Sequence, residues 1–352
     1  MSLVTGTATE PHAPASLSAL LHRYEDAGEP LTCEAVPRGL LNRGWRVTTT
    51  TGRYFLKEYV AADTAEPAVI ARQHRATRRL AGLGLPAAAP LRAADGRTVT
   101  LHGGAGYALF PWIDGTHREG TDLDAEQSRR LGALLGRVHT GLAHVQPPPA
   151  AAPPRPSADP DRTHADIERL LDLARAHRPH DAFDRLAEHR LLERRDLLRR
   201  HAHRRPPDPS PAPAQAGGAQ GWVHGDFHPL NLLYRGDEPA AIVDWDRLGV
   251  QPRAEEAVRA AAIFFVHPVD GRLDLGKVRA YATAYRAAAG AGAAEVAAAV
   301  HRVWWERVND FWMLQWRYEH RDLRSDPLFP ATSALAVWWT GEYDAVLDAF
   351  AG

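Results

Sequence analysis

Two acids and an amide bracket a short apolar hairpin between residues 224 and 246, and few folds accommodate that combination. The segment reads His224-Gly225-Asp226-Phe227-His228-Pro229-Leu230-Asn231 and closes with Ile242-Val243-Asp244-Trp245-Asp246. Residues 231–235 and 240–244 are apolar runs separated by Gly236, Asp237, Glu238 and Pro239, which reads as a β-hairpin. A symmetric turn sets Asn231 opposite Asp244, and directly opposed residues share a face with Cβ atoms roughly 5 Å apart. An amide oxygen and a carboxylate at that spacing suit a hard cation, Mg²⁺ in phosphate chemistry. Asp226 falls on the loop entering the first strand, outside any aliphatic pattern. Either residue read singly is a turn cap. Together, an acid, an amide five residues on and a second acid point to a metal and a phosphate.

These residues carry a resemblance. H-G-D-F-H-P-L-N followed by I-V-D-W-D resembles the catalytic loop and metal-binding strand of the aminoglycoside phosphotransferase and choline kinase-like family, small-molecule relatives of the protein kinases. Protein kinases carry H-R-D-L-x-x-x-N and D-F-G there. Gly225 replaces their Arg and Asp246 their last Gly, as in the small-molecule branch. The resemblance implies an α+β, two-lobed protein-kinase-like fold. An N-terminal extension (1–29) precedes a small antiparallel-sheet lobe (30–110), and a larger, mostly helical lobe (111–352) follows. It also implies ATP and Mg²⁺ as cofactors, Asp226 as catalytic base, and Asn231 and Asp244 on the metal.

A kinase also needs a lysine on its third strand. Lysine and arginine total 42, yet only Lys57 and Lys277 are lysines, so a retained lysine is informative. Lys57 lies in residues 53–59, the return strand of a hairpin with residues 45–50, turning at Thr51-Gly52. Pairing about that turn sets Val47 against Leu56 and Arg46 against Lys57. There Lys57 can act as a point charge on the α- and β-phosphates; taken alone, it is an ordinary exposed strand lysine. Upstream, Gly39 and Gly44 flank Asn42, one of three asparagines, and would let backbone N–H groups approach phosphates. A plain turn reads the same way, but the family resemblance favours the nucleotide reading. The helix over 64–81 shows Gln73 where relatives carry the glutamate that pairs with this lysine, leaving Gln73 or Glu66 as its partner. Residues 107–115 read as a strand ending in Phe110, with Pro111 and Gly115 redirecting the chain. By resemblance, the Phe110 carbonyl and Trp112 N–H would meet the adenine edge.

Farther along, Leu131, Leu134, Leu135 and Val138 follow helical spacing. Proline-rich passages at 146–160 and 205–220 read as surface loops or linkers around helical segments at 163–177 and 181–203. Pro252 opens another helix, in which Glu256 is the nearest equivalent of an acid that steadies the catalytic loop in relatives. A long helix over 293–320 carries a core stripe through Val296, Val300, Val303, Trp304, Val308 and Phe311. A second row, Trp305, Asn309, Trp312 and Trp316, reads either as packing against Trp338 and Trp339 or as a wall of the acceptor pocket. Asp310, Glu306 and Glu319 are candidate contacts to a cationic acceptor.

A net charge of −1 gives no footprint for nucleic acid or a membrane surface, and the lone Cys33 suits a reducing cytoplasm. No signal peptide or spanning segment is expected, and no histidine spacing suggests zinc. The expectation is a cytoplasmic monomer or weak homodimer that phosphorylates a small-molecule alcohol. The acceptor is an antibiotic, such as an aminoglycoside or another hydroxylated natural product, or a primary metabolite such as choline or homoserine. An inactive nucleotide-binding regulator on the same fold is the rival, favoured by Gln73 alone.

Overall fold

The computed structural model describes residues 16–36, 42–60, 66–147, 155–208 and 220–352. In chain order, helix α1 (Leu17–Leu21) leads to strands β1 (Pro30–Ala35), β2 (Arg43–Thr49) and β3 (Arg53–Tyr59). Helix α2 (Pro67–Gly82) and strands β4 (Thr100–His102) and β5 (Ala105–Pro111) follow. Next come helices α3 (Ala125–Val145), α4 (Pro160–Ala176) and α5 (Ala182–His201). Strands β6 (Gln220–Val223), β7 (Leu232–Arg235), β8 (Glu238–Ile242) and β9 (Gly249–Pro252) come after them. The remainder is helical: α6 (Arg253–Phe264), α7 (Leu275–Ala289), α8 (Ala293–Asn309), α9 (Trp312–Glu319), α10 (Phe329–Gly341) and α11 (Tyr343–Ala351). The expected α+β composition holds, with an antiparallel sheet early and helices late. The chain gathers into two compact units: residues up to Thr116 with Leu232–Arg247, and His117–Asn231 with Leu248–Gly352.

The first unit is built on an antiparallel sheet of order β1-β2-β3-β5-β4. Strand alternation gives it two faces. On one, Trp45, Val47, Leu56 and Leu109 pack with Leu20 and Leu21 of α1. The other holds Tyr59 and Ala108 with Ile70 of α2, and Lys57 shares this face because it lies two residues from Tyr59. The β2–β3 register differs from the expected one by two residues, with Trp45 opposite Leu56 and Gly44 opposite Lys57. The cause is the turn, where Thr49 Oγ1 accepts from the N–H groups of Thr51 and Gly52 and so lengthens the loop. A two-residue slip returns every side chain to its own face, so Lys57 keeps the environment expected of it.

The β7–β8 hairpin departs from expectation more sharply. Its turn is only Gly236-Asp237, Gly236 taking φ +59°, and Leu232 pairs with Ile242. A bulge at Ala240 shifts the register between Leu233 and Tyr234. Asn231 precedes the ladder, in a 3₁₀ turn spanning Pro229–Asn231, so it is not the cross-strand partner of Asp244.

The second unit is helical around the small β6–β9 pair. Asp124 caps α3 by accepting from Gln127 N, and Leu131, Leu134, Leu135 and Val138 form its buried stripe. Helix α3 packs so closely on α7 that a Cβ at Gly132 would stand 2.0 Å from the Tyr281 carbonyl oxygen. The single helix expected over 293–320 is two helices. Asn309 donates its side-chain amide to the Trp305 carbonyl, and Asp310, in extended conformation, accepts from Trp312 N. Side-chain bonds to the backbone end α8 there and start α9. Residues 148–154 and 209–219, the centres of the proline-rich passages, lie outside the described residues. Their described ends are tied together, with Ser157 N donating to Asp208 and Arg205 to the Ser157 carbonyl.

Candidate active site

Within the first unit, Lys57 is the hub. Its Nζ lies 2.8 Å from Asp244 Oδ1 and 2.7 Å from Asp246 Oδ2, and 5.4 Å from the centroid of the Tyr59 ring. The lysine side chain is 9% exposed and that of Asp244 47%. The ammonium is thus covered, whereas one of its partners reaches solvent. Burial opposes the charge on Lys57, but Asp244 and Asp246 outweigh it, and its pKa is raised. Asp244 adopts φ +55°, a left-handed conformation that Asp tolerates better than most residues.

Neither Gln73 nor Glu66 is the partner of Lys57. Gln73 Nε2 instead donates to the Asp246 main-chain oxygen at 2.6 Å, fixing the turn that presents the second acid. Glu66 stands at the N-cap of α2. Asn42 completes the cluster: its Nδ2 reaches Asp246 Oδ2 at 2.5 Å, and its Oδ1 accepts from Val60 N at 3.1 Å. Gly39 lies outside the described residues. Gly44 sits inside β2 rather than in a loop, and the Phe55 ring fills the space a side chain would need, 2.6 Å from an ideal Cβ. Strand β5 runs past Phe110 through Pro111, with Phe110 opposite Phe55 in the ladder. The Trp112 N–H therefore donates to the Arg53 carbonyl at 2.9 Å and does not present a donor to a base edge.

Within the second unit, Asp226 follows β6 on a loop whose Gly225 takes φ +86°. The loop is anchored from beneath. Glu256 Oε2 accepts from His224 N at 3.2 Å, and its Oε1 accepts from Gly225 N. His139 Nε2 lies 2.7 Å from the same carboxylate, and His139 Nδ1 lies 3.1 Å from the Tyr285 hydroxyl. Glu256 therefore braces the loop, its extra methylene notwithstanding. Burial works against its charge, but the His139 contact prevails and the Glu256 pKa is lowered. Sequence reading missed His139, although it lies one helical turn beyond Leu135 on the buried stripe of α3, where a polar ring needs a partner.

Asn231 is 5% exposed, and its Nδ2 donates to the Asp226 carbonyl at 2.8 Å. Its amide orientation is thereby set, and among the described residues nothing donates to its Oδ1. The Asp226 side chain is 36% exposed and stands 3.6 Å from His228 Nε2. Asp226 and Asn231 are thus brought together, as are Lys57 and Asp244.

The acceptor row is not one surface. Trp305 is buried and donates to the Ala158 carbonyl, Asn309 accepts from Thr163, and Trp312 and Trp316 form an edge-to-face pair on α9. Trp304 rather than Trp305 reaches α10, through Thr340, while Trp339 stacks on Phe350. A His177–Asp181–Asp184 group has ligand-type geometry, yet it is an ion-pair knot: Arg317 pairs with Asp181 and the Tyr318 hydroxyl donates to Asp184.

The chain resembles, at 27% identity over 128 residues, the homoserine kinase of Zymomonas mobilis subsp. mobilis. That stretch covers 36% of this chain and 39% of the relative, so the chain matches about two fifths of the length of that curated protein. An aminoglycoside phosphotransferase from Alicyclobacillus acidocaldarius aligns over 97% of both chains with TM-score 0.66 and 16% identity. Amicoumacin kinase hAmiN, solved with AMP-PNP, Ca²⁺ and Ami, aligns over 94% of this chain and 91% of its own with TM-score 0.59 and 17% identity. These structures share the protein-kinase-like fold. Residues 32–291, most of the chain, match the family described as the phosphotransferase enzyme family, and the chain belongs to that family of small-molecule phosphotransferases.

Proposed function

We propose that this protein transfers the γ-phosphoryl group of ATP to a hydroxyl of a small molecule. The observation that carries the reading is the buried lysine paired with the half-exposed Asp244, at the end of a strand that follows the Asp226–Asn231 loop in sequence. Lys57 supplies positive charge to the nucleotide phosphates. The acceptor oxygen attacks the γ-phosphorus, its proton passes to the Asp226 carboxylate, and the bond to the β–γ bridging oxygen breaks to release ADP. The donor set, a carboxylate and an amide oxygen with no sulfur or imidazole, fits a hard cation. By the family resemblance Asn231 Oδ1 and Asp244 are each proposed as Mg²⁺ ligands, and the ion would neutralise charge on the nucleotide phosphates. Asn42 keeps Asp246 on Lys57.

The acceptor falls within two groups named by the relatives, antibiotics and amino-alcohol metabolites of the homoserine or choline kind. Its contacts are assigned to α8 and α9, where Trp312 and Trp316 are half-buried. The rival reading, an inactive regulator, is favoured by Gln73 alone, and Lys57 has two carboxylate partners in place of the absent glutamate. The proposal includes a cytoplasmic monomer or weak homodimer, and the net charge of −1 gives no footprint for nucleic-acid or membrane partners. Among the described residues no helix is long and apolar enough to cross a membrane. ADP release measured with aminoglycosides, other hydroxylated antibiotics, homoserine and choline tests the reading. Mg²⁺-dependent nucleotide binding with no turnover on any acceptor would favour the regulator.

A further inference from the structure

Helix α5, the α8–α9 turn and α10 enclose a pocket lined by Arg194, Arg307, Asp310, Phe311, Trp312 and Phe329. Its charge balance is uneven. Arg194 is 4% exposed, and its guanidinium donates only to carbonyls: Nη1 to Arg307 O, and Nη2 to Ser333 O at 3.4 Å. Its Nε has no acceptor. Among the described residues no carboxylate lies within salt-bridge distance of Arg194 or Arg307. The third cation of the lining, Arg190, is compensated by Glu193 at 2.7 Å. Asp310, the one acid of the lining, has an oxygen engaged by Trp312 N at 3.1 Å. Buried charge is ordinarily paired, and here the buried Arg194 and the partly exposed Arg307 share one lining carboxylate, the exposed and already engaged Asp310. Burial lowers the Arg194 pKa to about 10, so it stays cationic at neutral pH and the excess charge persists.

We propose that this pocket binds the carboxylate group of a small organic molecule. The pocket shares Trp312 with the segment assigned to acceptor contacts, and carboxylate binding is tested without ATP or turnover. The cavity holds about 30 Å³, room for about two waters, which matches the two oxygens of a carboxylate. A planar guanidinium matches a planar carboxylate bidentately, and the Phe311 ring, 5.7 Å from the Arg194 guanidinium carbon, covers one side.

Isothermal titration and thermal unfolding of the full chain with acetate, inorganic phosphate and chloride, at matched ionic strength, test this. Saturable binding of acetate is expected, weakened about tenfold or more by Arg307→Gln through loss of a charge-assisted hydrogen bond. Arg307→Lys should recover part of it, and Arg200→Gln, at an exposed position of α5, should leave it unchanged. Circular dichroism confirms that each variant is folded. Equal responses to all three anions, unchanged in Arg307→Gln, would mean bulk screening and overturn the proposal. Tighter binding of phosphate than of acetate would also overturn it, by assigning a phosphate site.

Discussion

Asp226 and Asp244 both present partly exposed carboxylates, 36% and 47% by side chain, but their supports differ. Asp226 rides on a loop whose backbone N–H groups are gripped by Glu256, itself held by His139, which Tyr285 fixes in turn, and these supports are almost entirely buried. Asp244 is instead tied into a cluster of charged groups within its own unit. It is held through Lys57, and Lys57 through Asp246, which Asn42 and Gln73 fix in turn. The helical unit separates support from chemistry, assigning them to different residues. In the sheet unit, the same charged groups do both. A loop that only has to aim one carboxylate gains from rigidity. On the proposed reading, a cluster that trades an internal ion pair for a polyphosphate gains from a partner it can release.

The largest effect should come from breaking the foundation. Glu256→Ala leaves His139 and two backbone N–H groups without their acceptor, and about 3–5 kcal/mol of stability should be lost in denaturant unfolding. A loss below ~1 kcal/mol would mean that the loop is not braced through this carboxylate. Asp226→Ala should keep full stability and lower turnover by at least ~100-fold, the low end for a positioned acid–base group. A matching loss of stability would collapse the distinction between support and chemistry. On the other side, Asp246→Asn should raise KM for the nucleotide roughly tenfold with a smaller change in kcat, since one charged hydrogen bond to Lys57 is lost. An unchanged KM would show that Lys57 is positioned without it.

The smallest effect concerns pH. His74, bonded to Tyr59 and Thr98, is held neutral, its pKa lowered to about 3 by burial and then by Lys57. Its unfolded value is about 6.5. The folded state therefore resists a proton that the unfolded chain accepts. The stabilisation is complete above pH ~6.5 and is lost as pH falls toward 3. His74→Gln should flatten the stability profile between pH ~6.5 and 4; an unaltered slope would mean that His74 protonates without unfolding.

Much of this was legible in the chain. The acid–amide–acid order around the hairpin, the isolated lysine and the α3 stripe all rest on local spacing, and local spacing survives folding. Register was legible only modulo two residues at β2–β3, because face alternation has that period while the Thr49 turn bond sets the count. At β7–β8 the two-residue turn and the bulge at Ala240 removed the expected opposition of Asn231 and Asp244. The break at Asn309-Asp310 was hidden by apolar periodicity that resumes in α9. Least legible were Gln73 with Asp246 and His139 with Glu256, since each joins distant segments and no spacing rule encodes the pair.

The central claim is phosphoryl transfer directed by Asp226. Phosphorus NMR of the full chain with Mg·ATP and each hydroxylated acceptor in turn reads it directly. The account predicts, for at least one acceptor, ADP together with a new phosphomonoester resonance that is absent in Asp226→Ala. ATP left intact or converted only to ADP and inorganic phosphate with every acceptor, or a phosphomonoester formed equally fast by Asp226→Ala, would contradict it.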